Sequence, residues 1–355
     1  QCEATFGSFL NELEKGNRHP DIRWIIFRRG SRVDFTGDNH QVSELDSVPY
    51  PARHLLKAEM YHLGTMRGRK KYTSIMTSRG CPFSCVFCNT SIYGNGLRKR
   101  SLGNVISEIR QAINDFGIEH FYFVDDTLTI DRDYMLSLCE QIKKNNLKFS
   151  WEGSTRANLL DEELVGALAG AGLIRISLGL ESAEARVREI IKKEVPLESY
   201  VYANRLLNRY GIETINSVML GLPGDTRETI KKTISFVRGE RALKHATFGI
   251  AIPYPGTEMY DMALKGLHGL RLVTSDFSKY QRYDSAVMTV NGMTPEELLR
   301  LQKNGLLSIY FVPWRIIPAI KRFGLTALIQ PFLEAVFQFA QDRFRLIYAF
   351  LARRL

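Results

Sequence analysis

The chain reads as an α/β protein organised around a partial (β/α)6, TIM-like barrel. Three observations predict this. From Tyr72 onward, short apolar or β-branched runs alternate with amphipathic helical ones, six times in succession. The helical stretches carry start and stop signals of their own. No tract of internal repeats or low complexity interrupts the series. Consecutive βα units imply parallel strands, right-handed crossovers and helices on the outside. Six units fall short of the eight that close a full barrel, so the expected form is open, with its chemistry at the C-terminal ends of the strands.

The strands predicted in order are Tyr72–Ser78, His120–Asp126, Lys148–Arg156, Arg175–Ser182, Glu213–Gly221 and His245–Ile252. Between them, Val105, Ile109, Ala112, Ile113 and Phe116 recur at helical spacing, as do Tyr134, Leu136, Leu138, Cys139 and Ile142. Asp161 before Glu162-Glu163 and Asp225 three residues before Glu228 read as helix starts. Gly117, Gly172 and Gly211 read as helix ends, where glycine takes a left-handed conformation without strain. Thr294-Pro295-Glu296-Glu297 opens a further helix, with Thr as cap and Pro at the first turn.

Outside the barrel, residues 1–50 form a small unit: a helix from Thr5 to about Lys15, a strand at Ile22–Arg28 and a second at Arg32–Phe35. Residues 51–71 connect it to the barrel at 72–260, and 261–355 form a helical C-terminal extension. The chain begins with Gln1 rather than Met, and the expectation is that it lacks its natural N-terminus.

Of 355 residues, 45% are apolar and 24% charged, an ordinary balance for a globular protein. A net charge of +10 is compatible with an anionic small molecule, a membrane surface or nucleic acid. Nucleic acid is disfavoured, because the runs Arg67–Lys71 and Arg98–Lys99–Arg100 read more simply as solvated surface. No segment reaches the roughly 20 uninterrupted apolar residues of a membrane span. The apolar positions Leu325, Leu328, Ile329, Phe332, Leu333, Val336 and Phe337, beside a basic fringe, nevertheless form a stripe suited to peripheral contact with a membrane or to packing on the parent domain. Five cysteines, three of them within eight residues, fit a reduced compartment and a metal site better than a disulfide framework. The cytoplasm is the expected location.

Those three cysteines carry the chemistry. In Arg79-Gly80-Cys81-Pro82-Phe83-Ser84-Cys85-Val86-Phe87-Cys88-Asn89 they stand directly after the first barrel strand. Three thiolates on one loop ligate three irons of a four-iron cubane and leave the fourth iron open to a substrate-derived ligand. A zinc site needs a fourth ligand and usually a second ligand pair. Cys2 and Cys139 stand alone, and His54 and His62 lack a closing motif.

This spacing and its place after the first of six βα units resemble the radical S-adenosylmethionine superfamily, over about Thr65 to Tyr310. The resemblance implies a 4Fe-4S cluster on Cys81, Cys85 and Cys88, and reductive cleavage of S-adenosylmethionine to a 5′-deoxyadenosyl radical, with an electron donor such as flavodoxin or ferredoxin. It implies further contacts with S-adenosylmethionine. Phe87 lies near adenine. Asp125 or Asp126, in Val124-Asp125-Asp126-Thr127, meets the amino group. Glu181 and Ser182, in Gly179-Leu180-Glu181-Ser182, lie at the ribose. Lys193 meets the carboxylate and Ser217 faces the ribose. Arg156, ending the third strand, is either a substrate contact or an ion-pair partner inside the barrel.

The stretch from Thr5 through Pro51-Ala52-Arg53, with Thr77-Ser78-Arg79-Gly80-Cys81, is similar to the cobalamin-dependent branch of that superfamily. Residues 1–50 would then be the tail of a Rossmann-like cobalamin domain, with cobalamin a cofactor of the full-length protein. The cobalt-ligand motif Asp-x-His-x-x-Gly is lacking: Asp38-Asn39-His40-Gln41-Val42-Ser43 copies only its start. The chain is therefore expected to be a fragment of a longer enzyme rather than one that has lost cobalamin. The implied reaction is C-methylation or oxidative cyclisation of a small or lipid-like substrate. RNA methylthiolation and a non-catalytic cluster or zinc module are the alternatives. The first is opposed by the absence of three further N-terminal Cys and of a C-terminal β-barrel; the second is opposed by the set of polar strand-end residues.

Overall fold

A computed structural model of the chain describes residues 3–317, apart from 18–21, 24, 38–41, 58–59, 66–67, 90–92 and 311. The Asp38–His40 motif fragment and the apolar stripe at 325–337 lie outside the described residues. Among the described residues no helix is long and apolar enough to cross a membrane.

Helix α1 (Glu3–Glu14) precedes an antiparallel hairpin, β1 (Ile26–Arg29) and β2 (Arg32–Phe35). The main sheet then takes β3 (His62–Thr65) and β4 (Gly68–Ile75). A small antiparallel pair follows, β5 (Ser78–Arg79) and β6 (Arg98–Lys99), before α2 (Leu102–Phe116), β7 (His120–Phe123) and α3 (Arg132–Lys144). Next come β8 (Ser150–Thr155), α4 (Glu162–Gly170), β9 (Leu173–Glu181), α5 (Ala185–Ile190) and α6 (Leu197–Arg209). β10 (Glu213–Leu220), α7 (Arg227–Gly239), β11 (His245–Ile250) and α8 (Glu258–Lys265) complete the βα series. β12 (Leu270–Leu272), β13 (Met288–Val290) and α9 (Pro295–Tyr310) follow.

The sheet runs β11-β10-β9-β8-β7-β4-β3. The six strands from β4 to β11 are parallel, as the alternation of elements requires, and β3 adds an antiparallel edge. Among the described residues β11 and β3 do not pair, so the barrel is partial. The antiparallel edge corrects the expected boundaries: residues 62–65 and 68–71 belong to the sheet rather than to a connecting segment at 51–71. The expected helical extension from 261 likewise holds the β12–β13 pair before α9.

Local chemistry explains the helix ends. Ser101, Asp131, Asp161 and Thr257 each accept a backbone N–H in the first turn of α2, α3, α4 and α8. Gly117 closes α2 at φ 64°. The start of α7 differs from expectation. Thr226, not Asp225, is its cap, in a reciprocal box with Thr229. Asp225 instead accepts the N–H groups of Gly221 and Leu222, both at 3.0 Å, and holds the turn that leaves β10.

Strand alternation sorts the core from the barrel interior. Ile176, Leu178 and Leu180 on β9 are fully buried beneath the helices, as are Val218 and Leu220 on β10. Their neighbours Ser177, Gly179, Ser217 and Met219 face the inside. At the N-terminal end of the strands that interior is filled by charge: Arg175 bridges Glu152 at 3.1 Å and Glu213 at 3.0 Å. The open end is the C-terminal one.

The segment before the sheet is fastened to it by a buried ion triad. Arg53 donates to Glu108 on α2 at 2.6 Å and to the Ser74 carbonyl at 2.9 Å, and Arg100 meets the other Glu108 oxygen at 2.5 Å.

Candidate active site

At the C-terminal end of the strands lies a cavity of about 390 Å³. One wall is the loop after β4. β5 and β6 clamp the base of this loop. Gly80 follows at φ +94°, where a Cβ would stand 2.2 Å from the Gly96 carbonyl oxygen, so only glycine fits. Further along, Val86 donates its N–H to the Ile191 carbonyl at 3.2 Å and accepts one from Met259 at 2.9 Å. The loop therefore spans the mouth, from β4 to segments that follow β9 and β11. Cys81, Cys85 and Cys88 all line the cavity.

Burial pushes the Cys85 thiol up against the opposing pull of Lys193 and Arg156. Burial also lifts Cys88, to about 11, helped by the neighbouring Cys85 and Cys81 thiols and by Asp126. Three thiolates gathered this way repel one another, and a polynuclear cation relieves that repulsion. Three thiols on one short loop, all facing one cavity, are a donor set whose chemistry fits an iron–sulfur cubane.

The two adjacent carboxylates at the end of β7 separate. Asp125 is buried and turned away from the cavity, where Oδ1 accepts from the Thr77 and Ser78 hydroxyls, both at 2.6 Å, and Oδ2 accepts the Thr77 N–H at 3.1 Å. It ties β7 to the base of the cysteine loop. Asp126 lines the cavity, and one of its oxygens accepts the Gly80 N–H at 3.1 Å. Its carboxyl is pushed up by burial, which the Gly80 bond only partly offsets. Ser182, expected at the ribose, also faces away. Its Oγ lies 3.3 Å from Thr233 Oγ1 and accepts the Glu184 N–H.

Glu181, Lys193, Phe87 and Ser217 do line the cavity. Glu181 sits at φ +59°, a conformation that costs on the order of 1 kcal/mol for a non-glycine residue. Its carboxylate lies 3.4 Å from Lys193 Nζ, both residues being buried. Gly179 makes room for this pair, because a Cβ there would come 2.4 Å from Glu181 Oε1 and 2.9 Å from Lys193 Nζ. Arg156 lines the cavity and has no carboxylate partner among the described residues. Its guanidinium lies 3.7 Å from the Phe83 ring centroid, its NH1 is 3.7 Å from Cys85 Sγ, and its Nε is buried without a hydrogen-bond partner.

The sequence reading missed Thr127, whose Oγ1 is 3.7 Å from Cys81 Sγ, and the inward residues Ser154, Ser177 and Met219. Strand alternation would have found the last three, which share the parity of the inward Arg156, Gly179 and Ser217. It also missed Arg282, in the loop between β12 and β13, for which no motif existed.

Comparison with known proteins agrees with this geometry. A family model described as the radical SAM superfamily matches residues 75–237. An uncharacterized methyltransferase of Pyrococcus horikoshii is 30% identical over 312 residues, covering 88% of this chain and 66% of that protein. The anaerobic magnesium-protoporphyrin IX monomethyl ester cyclase of Rubrivivax gelatinosus is 29% identical over 73% of this chain and 45% of its own length. The chain thus spans about two thirds of the first relative and under half of the second. Among solved structures, the cobalamin-dependent S-adenosylmethionine radical enzyme OxsB superposes with a TM-score of 0.56 at 21% identity, over 74% of this chain and 38% of that one. The radical S-adenosylmethionine methyltransferase TsrM of Kitasatospora setae gives 0.54 at 19% identity, over 69% and 53%. At these identities the structures speak for the fold.

Proposed function

The chain belongs to the radical SAM superfamily of enzymes, and from that premise we propose that it cleaves S-adenosylmethionine reductively at a 4Fe-4S cluster held by Cys81, Cys85 and Cys88. The observation that carries this reading is the meeting of all three thiols with Asp126, Glu181 and Lys193 in one cavity. When bound, the cluster supplies the electron that breaks a carbon–sulfur bond of S-adenosylmethionine and releases a 5′-deoxyadenosyl radical.

The chain's own residues bind and orient. Asp126 offers a carboxylate to the ammonium group, with its geometry fixed by the Gly80 N–H. Asp125 contributes at one remove, by holding Thr77 and Ser78 and so the base of the loop. Lys193 serves the carboxylate of S-adenosylmethionine, and Glu181 serves the ribose hydroxyls. Phe87 gives the adenine an aromatic neighbour, and Ser217 gives the ribose a hydroxyl. Arg156, flat on Phe83, sets a positive charge beside Cys85 and stabilises its thiolate. Met219, Ile250 and Ile252 give the cavity apolar walls that limit the room for water beside the reacting groups.

The radical serves C-methylation or oxidative cyclisation of a small or lipid-like substrate. Methyltransferase and cyclase relatives support both, and so does the likeness of the barrel to cobalamin-dependent enzymes. Residues 1–50 are then the tail of a cobalamin domain belonging to a longer protein, and cobalamin is its second cofactor. A flavodoxin or ferredoxin in a reducing compartment delivers the electron.

The test is an anaerobic incubation of reconstituted protein with dithionite and S-adenosylmethionine, scoring 5′-deoxyadenosine. Formation by wild type and loss in Cys85→Ala supports the reading. A fully iron-loaded wild type that forms none overturns it.

A further inference from the structure

We propose that Arg282 anchors an anionic group, a carboxylate or a phosphate, on the substrate of this site; the inference rests on the radical-enzyme reading and names its substrate class. Arg282 lines the cavity from outside the βα series, on the loop between β12 and β13. Its backbone is fixed there, since its carbonyl accepts the Ile250 N–H at 3.0 Å and so extends the end of β11. A second tie holds the same loop: the Tyr254 hydroxyl donates to the Tyr280 carbonyl at 3.2 Å.

The strand beneath Arg282 is shaped for its side chain. A Cβ on Gly249 would stand 2.5 Å from Arg282 Nε and 2.9 Å from Cγ, so a larger residue there would force the arginine side chain to shift. Its guanidinium has no hydrogen-bond or ion-pair partner among the described residues, and the aromatic contact recorded for it is the Tyr283 ring at 5.7 Å.

The charges around the cavity leave Arg282 as the unmatched one. Lys193 faces Glu181 and the carboxylate of S-adenosylmethionine, and Asp126 faces the ammonium. Arg156 lies beside a cysteine thiolate. Each of these has an opposite charge within the proposed complex. Arg282 is exposed at the mouth of this cavity, on a backbone held by Ile250, and a guanidinium there without an opposite charge suits a planar or tetrahedral oxyanion bound through paired N–H donors. The substrate's anion would then sit on the β11 side, with the rest of the molecule over Ile250, Ile252 and Met219.

Arginine footprinting tests this without a known substrate. Cluster-loaded, oxidised protein with S-adenosylmethionine bound is treated with phenylglyoxal, and modification of Arg282 is followed by peptide mass. Exposed Arg271 on β12, which does not line the cavity, is the internal reference. Methylphosphonate and propionate are the anionic probes, and isobutyramide is the neutral one. At ten times its Kd an anion slows modification of Arg282 about tenfold and leaves Arg271 unchanged. Protection by methylphosphonate alone assigns a phosphate-class substrate, by propionate alone a carboxylate, and by both a general oxyanion site. Equal rates with and without every anion, or equal protection by isobutyramide, overturn the proposal. Failure of the protein to form 5′-deoxyadenosine would instead strike the radical-enzyme reading, and the footprint does not depend on turnover.

Discussion

Replacing Gly179 by Ala probes the most finely fitted part of the cavity. The new methyl would lie 2.4 Å from Glu181 Oε1 and 2.9 Å from Lys193 Nζ, about 1 Å and 0.5 Å inside ordinary contact at 3.4 Å. Both atoms end flexible side chains and border a cavity, so they can yield, and the fold should lose no more than about 1 kcal/mol. The backbone of Gly179 is not in the left-handed region, so Ala adds no strain there. The displaced pair is a different matter. Weakening a charged hydrogen bond costs about 1.5–3 kcal/mol, roughly 10- to 100-fold in a binding constant. Equilibrium dialysis of S-adenosylmethionine against cluster-loaded protein should therefore show affinity falling roughly 10- to 100-fold. Iron content and thermal melting should stay near wild type. An unchanged affinity would remove Glu181 and Lys193 from the binding of S-adenosylmethionine. A collapsed melting curve would show that the pair has no slack to move.

The adjacent carboxylates should part in function. Asp126→Asn should keep its iron and lose about 10- to 100-fold in S-adenosylmethionine affinity, as expected when a charged hydrogen bond of 1.5–3 kcal/mol is weakened. Asp125→Ala should instead lower iron loading, because the Thr77 and Ser78 hydroxyls lose their acceptor; the reverse pattern would reassign the two. Glu108→Ala leaves Arg53 and Arg100 without their shared carboxylate and should cost about 3–5 kcal/mol in urea unfolding, and a loss under about 1 kcal/mol would show that the triad is solvated. Burial pushes the Asp225 carboxyl up to about 6, against bonds from Thr229, Leu222 and Gly221. Unfolded, its pKa returns to about 3.9, so the folded state binds this proton more tightly. The stability it contributes is full below about pH 4 and is lost as pH rises through 6, on the order of 2–3 kcal/mol. Relative to Asp225→Asn, wild type should lose that increment between pH 4 and pH 7; parallel profiles would place the carboxyl in a solvated site.

The parallel strands were legible because each carries a run of β-branched and apolar residues that the helices bury. β3 and the start of β4 were not, because Arg69, Lys70 and Lys71 interrupt any apolar alternation at an edge that needs less burial. β12 and β13 are three residues each, too short for a period to register. The cysteine loop was legible from its spacing together with its place after the first of the βα units. The choice between Asp125 and Asp126 could not, since it rests on Thr77 and Ser78, nearly fifty residues away in sequence. Ser182 follows Glu181 at a strand end, where the left-handed turn at Glu181 redirects the chain and sends Ser182 toward α7. Arg282 is brought to the cavity by its backbone bond to Ile250 and by the Tyr254–Tyr280 tie, tertiary contacts with no local signature.

The central claim is that a cluster on Cys81, Cys85 and Cys88 has an iron open to S-adenosylmethionine. Electron paramagnetic resonance of the anaerobically reduced protein, recorded with and without S-adenosylmethionine, tests it most directly. A signal of a reduced 4Fe-4S cluster whose g-values shift on addition of S-adenosylmethionine, with that shift abolished in Gly179→Ala at the same concentration, is the result predicted. A cluster signal that S-adenosylmethionine leaves untouched at saturating concentration, or a protein that takes up zinc in place of iron, would contradict it.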